Sequence, residues 1–131
     1  MFNNRLYIGS STGIVTEISI KNKKIKNNYP IPLENGICTM LPIPERNSFF
    51  IGDNIGNMIE WSLENQKLDK YFGRAHSSKI DFMTLSNDQK YLITKDVENC
   101  VKYWHLETQA FVKNVGYPSD DNIIALISIM K

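Results

Sequence analysis

Residues 8–20 read IGSSTGIVTEISI and residues 51–63 read IGDNIGNMIEWSL. Superimposed, they share Ile8 with Ile51, Gly9 with Gly52, Gly13 with Gly56 and Glu17 with Glu60, each pair 43 positions apart, and Ile18 falls against Trp61. The same interval of 43 links Trp61 to Trp104 and Leu63 to Leu106. A second series keeps it: Ile37, Ile80 and Ile123, accompanied by Met40, Met83 and Leu126. Independent positions that hold one period over nearly all of 131 residues mark a repeat protein. In such a protein each unit is a small module that buries its apolar surface on its neighbour. The units fall at approximately residues 5–47, 48–90 and 91–131.

Within a unit the residues favour strands. Runs rich in Ile, Val, Tyr, Phe and Trp are separated by Gly, Asn, Asp, Ser and Pro. In the second period strands are expected at 37–43, 48–52, 58–63 and 67–72, and in the third at 80–85, 91–95, 101–106 and 110–115. No segment carries a sustained helical apolar period with a cap, so almost no helix is expected. Four short antiparallel strands every 40–45 residues or so is the pattern of a propeller blade. A blade buries both faces, which accounts for runs such as SFFIG and IIALIS that are apolar without strict alternation. The expected fold class is therefore all-β, in tandem four-stranded antiparallel blades.

Composition agrees with a globular chain: 42% hydrophobic and 22% charged, with a formal net charge of +1. The one basic run, KNKKIK over residues 21–26, falls at a turn and reads as a solvated hairpin tip, so no nucleic-acid partner is expected. Cys38 and Cys100 are isolated from each other and from any metal-ligand motif, as in a reducing compartment. The N-terminus lacks a signal-peptide pattern, and the longest apolar run, residues 123–130, is far shorter than the roughly 20 residues of a membrane span. These features lead us to expect a cytoplasmic chain with no membrane partner.

The stretch HSSKIDFMTLSNDQKYLITKDVENCVKYWHL, residues 76–106, resembles the WD-repeat family. It has the family's histidine, an aliphatic four residues on, a turn like Ser-Pro-Asp-Gly, a strand hydroxyl and a closing tryptophan. The resemblance implies a buried hydrogen-bond chain of His76, Thr94, Glu98 and Trp104, with Glu98 as the turn carboxylate and Gly73 as the glycine before the histidine. The other repeats depart from that pattern: Ile55 and Thr12 fall at the carboxylate position, Ile18 replaces the tryptophan, and Ser62 and His105 replace the aspartate after it. Only the third repeat is expected to assemble the four. The resemblance also implies a partner-binding rim on the loops between blades and between second and third strands. Here those loops offer Ser10, Ser11, Asp53, Asn54, Arg74, Ser78, Lys79, Lys95 and Asp96. Their mixed charge suits a protein or peptide.

Propellers close with roughly four to eight blades, and this chain supplies about three. It starts in a second strand near residues 5–9 and ends in a first strand at 123–129, two parts that a complete ring would join in one blade. The expectation is an incomplete propeller: part of a longer one, or a chain that associates with itself or another chain to complete the ring, or an open arc.

No Walker motif, calcium loop or zinc spacing occurs, and no cofactor or metal is expected. A catalytic arrangement of Ser77 or Ser78 with His76 and Asp81 lacks a nucleophile elbow, and His76 reads better as a structural histidine. The function expected is a non-catalytic protein-interaction scaffold. The alternative is an accessory segment of a larger enzyme or signalling protein, for example one with a kinase domain.

Overall fold

The computed structural model describes residues 4–108 and 110–115. The chain is all-β, in three antiparallel sheets of three, four and four strands, each a simple meander. The first contains β1 (Arg5–Gly9), β2 (Ile14–Ser19) and β3 (Lys24–Pro30). The second contains β4 (Ile37–Ile43), β5 (Ser48–Asp53), β6 (Asn57–Ser62) and β7 (Lys67–Arg74). The third contains β8 (Ile80–Leu85), β9 (Tyr91–Asp96), β10 (Val101–His105) and β11 (Phe111–Val115). A 3-10 turn at Pro44–Arg46 is the only helical element among the described residues. The strands expected from sequence lie within two residues of those observed. The sheets, however, begin one strand earlier than the sequence units, so units 48–90 and 91–131 each open in the second strand of a sheet. The first strand expected at 123–129 lies outside the described residues.

The turns repeat with the strands. Left-handed backbone recurs at Gly13, Gly56 and Asn99, with φ of 85°, 101° and 65°, each 43 residues after the last. Asn is among the few side-chain-bearing residues that tolerate this region. At Gly56 a side chain is barred a second way, because a Cβ would run into the His76 carbonyl. The residue after the tryptophan position also keeps its task while changing identity. Ser19 and Ser62 Oγ accept N–H groups from Asn22 and Asn65, at 3.3 and 3.0 Å, and His105 Nδ1 accepts that of Thr108 at 3.4 Å.

The core lies between sheets. Val15, Tyr29, Ile31 and Leu33 of the first sheet and the loop that follows it pack on Phe49, Ile51, Ile59 and Trp61 of the second. Phe50, Met58 and Ile43 on the second sheet's other face pack on Ile80, Met83, Leu92 and Trp104 of the third. Consecutive phenylalanines of β5 thus serve opposite interfaces, because neighbouring strand residues point to opposite faces. Every residue of β5 is buried. Close approach is set by two glycines. A Cβ on Gly9 would sit 2.7 Å from Ile37 Cγ2, and one on Gly52 would sit 3.0 Å from Ile80 Cβ.

This two-sided burial predicts unequal costs for one substitution. Phe50→Ala is expected to lower unfolding free energy by about 3–5 kcal/mol, the usual range for a buried phenylalanine. Phe111→Ala, on a strand whose residues are all exposed, is expected to cost far less. Urea denaturation of both variants checks this; equal losses would contradict the packing described.

Candidate functional site

The third sheet assembles a chain of four polar side chains. His76 enters from the loop before β8, Thr94 lies in β9, Asp96 ends β9 and Trp104 lies in β10. Trp104 Nε1 donates to Thr94 Oγ1 at 2.9 Å. Thr94 Oγ1 lies 2.7 Å from His76 Nε2, and His76 Nδ1 lies 2.8 Å from Asp96 Oδ2. All four residues are buried. One set of protons satisfies every atom: the threonine hydroxyl donates to Nε2, and Nδ1–H donates to the carboxylate. Asp96 Oδ1 accepts two further N–H groups, from Glu98 at 2.9 Å and Cys100 at 3.0 Å. Burial lowers the His76 pKa from its ordinary 6.5, against the opposing pull of Asp96. The neutral ring is the form that this chain of bonds requires.

The carboxylate is Asp96, not Glu98. Asp96 stands where the strand ends, and its short side chain folds back over the turn to take two backbone N–H groups and the imidazole. Glu98 lies within that turn, exposed, and contributes only its N–H. The repeat frame held the signal. Ser10, Asp53 and Asp96 are 43 apart. Asp53 Oδ1 accepts the N–H groups of Ile55 at 3.1 Å and Asn57 at 2.7 Å, just as Asp96 accepts those of Glu98 and Cys100. Ser10 Oγ accepts that of Ile14 at 3.2 Å.

Three of the residues expected on the rim therefore do not lie on it. Asp53 and Asp96 are fully buried turn carboxylates, and Lys95 is 2% exposed. The Lys95 ammonium is held 2.9 Å from both carboxylate oxygens of Asp81 and 3.0 Å from the Asp96 carbonyl. Asn54, Arg74 and Lys79 are exposed as expected. Arg74 ties two loops together through Ile55 O at 3.0 Å and Ser77 O at 2.9 Å.

The second sheet keeps only the ends of the polar chain. Leu33 and Ile51 stand at the positions of His76 and Thr94, and Trp61 stands at that of Trp104. Trp61 Nε1 is consequently buried with no hydrogen-bond partner. The first two sheets carry another polar device that sequence reading aligned but gave no role, Glu17 and Glu60. Glu60 receives Arg46 Nη2 at 2.7 Å and Nε at 2.9 Å, with Ser48 Oγ at 2.6 Å. Glu17 receives the Tyr29 hydroxyl at 2.6 Å, Arg5 Nε at 2.9 Å and Asn27 Nδ2 at 3.2 Å. Burial raises the Glu17 pKa, but these donors outweigh it and hold the carboxyl below the usual range. Burial together with the Glu17 carboxylate pushes Tyr7 up to about 12.

The serine–histidine–aspartate arrangement is not brought together. His76 spends both ring nitrogens on Thr94 and Asp96, Asp81 clamps Lys95, and the buried Ser78 Oγ has no hydrogen-bond partner. His76, Asp96 and Cys100 do place three ligand-type atoms within 4.8 Å of one another. The nitrogen and carboxylate oxygens there are already committed to the bonds above, and Cys100 Sγ contacts Asn114 Oδ1 at 3.2 Å. Burial pushes the thiols of Cys38 and Cys100 up, away from the thiolate that binds metals.

Compared with models of known protein families and with curated proteins, the chain matches none. Among the described residues no helix is long and apolar enough to cross a membrane.

Two measurements probe the site. Ile51→Thr supplies the acceptor that Trp61 Nε1 lacks, whereas Ile59→Thr buries a hydroxyl on the neighbouring strand without that partner. We expect Ile51→Thr to cost about 1 kcal/mol less than Ile59→Thr in urea denaturation, the net worth of one hydrogen bond. The second is pH. The unfolded chain takes up the imidazole proton before the folded one, because the folded pKa is the lower. The His76 contribution is therefore complete above pH 6.5 and declines as pH falls below it. Stability profiles of the wild type and of His76→Gln should run parallel at their full separation above that pH and converge below it.

Proposed function

We propose that the chain is a segment of a WD-type β-propeller that acts as a non-catalytic scaffold for a protein or peptide partner. The observation that carries this reading is the buried chain from Trp104 through Thr94 and His76 to Asp96. It has the residue types and the order of the hydrogen-bonded tetrad of WD repeats, once Asp96 takes the carboxylate place. The 43-residue meander of four strands and the burial of both faces of the second sheet support the same architecture. In a propeller a rigid stack presents variable loops along its rims, and binding residues concentrate there. Ser11, Asn54, Arg74 and Lys79 are exposed on that rim, and Arg74 braces it. With both His76 nitrogens engaged inside the tetrad, the histidine acts as structure.

The test begins with a peptide library panned on the purified chain. The selected peptide is then titrated into the wild type and into an Asn54→Ala/Lys79→Glu variant. The expected result is that the variant loses binding while its melting temperature is unchanged. Peptides that bind both proteins equally would overturn the assignment of the rim.

A further inference from the structure

The opposite face of the stack carries a cleft of about 430 Å³ where the turns of the second and third sheets meet, lined by Arg46, Gln89, Lys90, His105, Leu106 and Glu107. The turn between β4 and β5 supplies Arg46, the turn between β8 and β9 supplies Gln89 and Lys90, and the end of β10 with the turn after it supplies the other three. The loops of the rim lie at the other ends of these strands.

Arg46 is fixed before any ligand arrives. Its Nε and Nη2 grip the Glu60 carboxylate at 2.9 and 2.7 Å, and its Nη1 donates to the Leu106 carbonyl at 3.1 Å across to the third sheet. Glu60 is 1% exposed, so this pairing anchors the guanidinium to the core. A guanidinium has five N–H donors, of which these contacts use three. The remaining two belong to an immobilised cation, and a ligand that accepts from them incurs little side-chain ordering cost. Lys90 adds an ammonium from an exposed turn. The ring of His105 is steadied edge-on to Tyr91, with centroids 5.7 Å apart at 86°. Leu106 provides the apolar contact.

We infer that this cleft binds a carboxylate, and specifically the acidic side chain of a peptide, with Arg46 as the oriented fork and Lys90 as the second charge. Carboxylate geometry matches a guanidinium edge. Glu107 on the same wall opposes a doubly charged phosphate more strongly than a singly charged carboxylate. The volume lies in the range of sites that enclose a side chain or small ligand. This inference does not depend on the binding role of the rim.

The experiment titrates three probes into the wild-type chain by calorimetry at low salt: a capped peptide of alternating Glu and Ala, its Gln counterpart, and free glutarate. The Glu peptide is expected to bind, with the Gln peptide and glutarate at least about fivefold weaker, the scale of a single charge pair. Lys90→Gln is expected to weaken Glu-peptide binding by about fivefold, and Glu107→Gln to strengthen it. Both substitutions are on partly or fully exposed side chains, and Arg46 is left in place because its loss would strand Glu60. Equal binding of the Glu and Gln peptides, shifts of the same sign in the two variants, or no binding of the Glu peptide would each overturn the inference. Glutarate binding as tightly as the peptide would overturn the peptide as ligand. The Asn54→Ala/Lys79→Glu variant is expected to bind the Glu peptide as the wild type does, which separates this cleft from the rim.

Discussion

The two inner strands of the second sheet, β5 and β6, have no wet face. β5 places Phe49 and Ile51 toward the first sheet and Phe50 toward the third, and β6 divides Ile59 and Met58 in the same way. Such a sheet cannot be stable alone, because burying only one face leaves the other row of aromatic and aliphatic side chains in water. The remaining features serve that demand. The meander returns each strand beside the last, and the glycines at 9 and 52 let backbones approach where the next sheet's first strand arrives. Short turns with recurrent left-handed residues keep every unit in the same register.

Buried polar groups show how differently the three units solve one problem. A polar group removed from water costs free energy unless it is paired. The third unit pairs Trp104, Thr94, His76 and Asp96 in a single line of donors and acceptors that ends on a carboxylate supported by two N–H groups. The second has exchanged the middle of that line for Leu33 and Ile51 and tolerates one unpaired indole N–H. In the first two units a buried glutamate takes over as a polar anchor, with arginine and hydroxyl donors around it. The third has Tyr103 at that position. The buried polar side chains of each unit thus stand where its strands are tied to each other or to a turn.

The period was readable because identities at structurally obligatory positions survive: the glycines at close approach, the tryptophans at the interface, the isoleucines of the first strands. Strand positions followed from it directly. The family resemblance points to Glu98, two residues beyond the carboxylate that takes the role, Asp96. The physical requirement is for a short acid at the strand end, where its side chain can reach back over the turn. The rim position expected of Lys95 fails for a related reason. Its charge suggested water, whereas Asp81 on the adjacent strand offers a partner that no local pattern reveals. The Arg46–Glu60 pair spans 14 positions and depends on a cross-strand register that is fixed only in three dimensions.

The lysine at 95 has a consequence for spacing. It stands 43 residues after Gly52 and 86 after Gly9, and the alternation of β9 points it away from the second sheet. Where the two earlier units present a bare backbone hydrogen to the layer stacked on them, the third presents an ion-paired amine. At that position the third unit lacks the room for close approach that Gly9 and Gly52 give the first two.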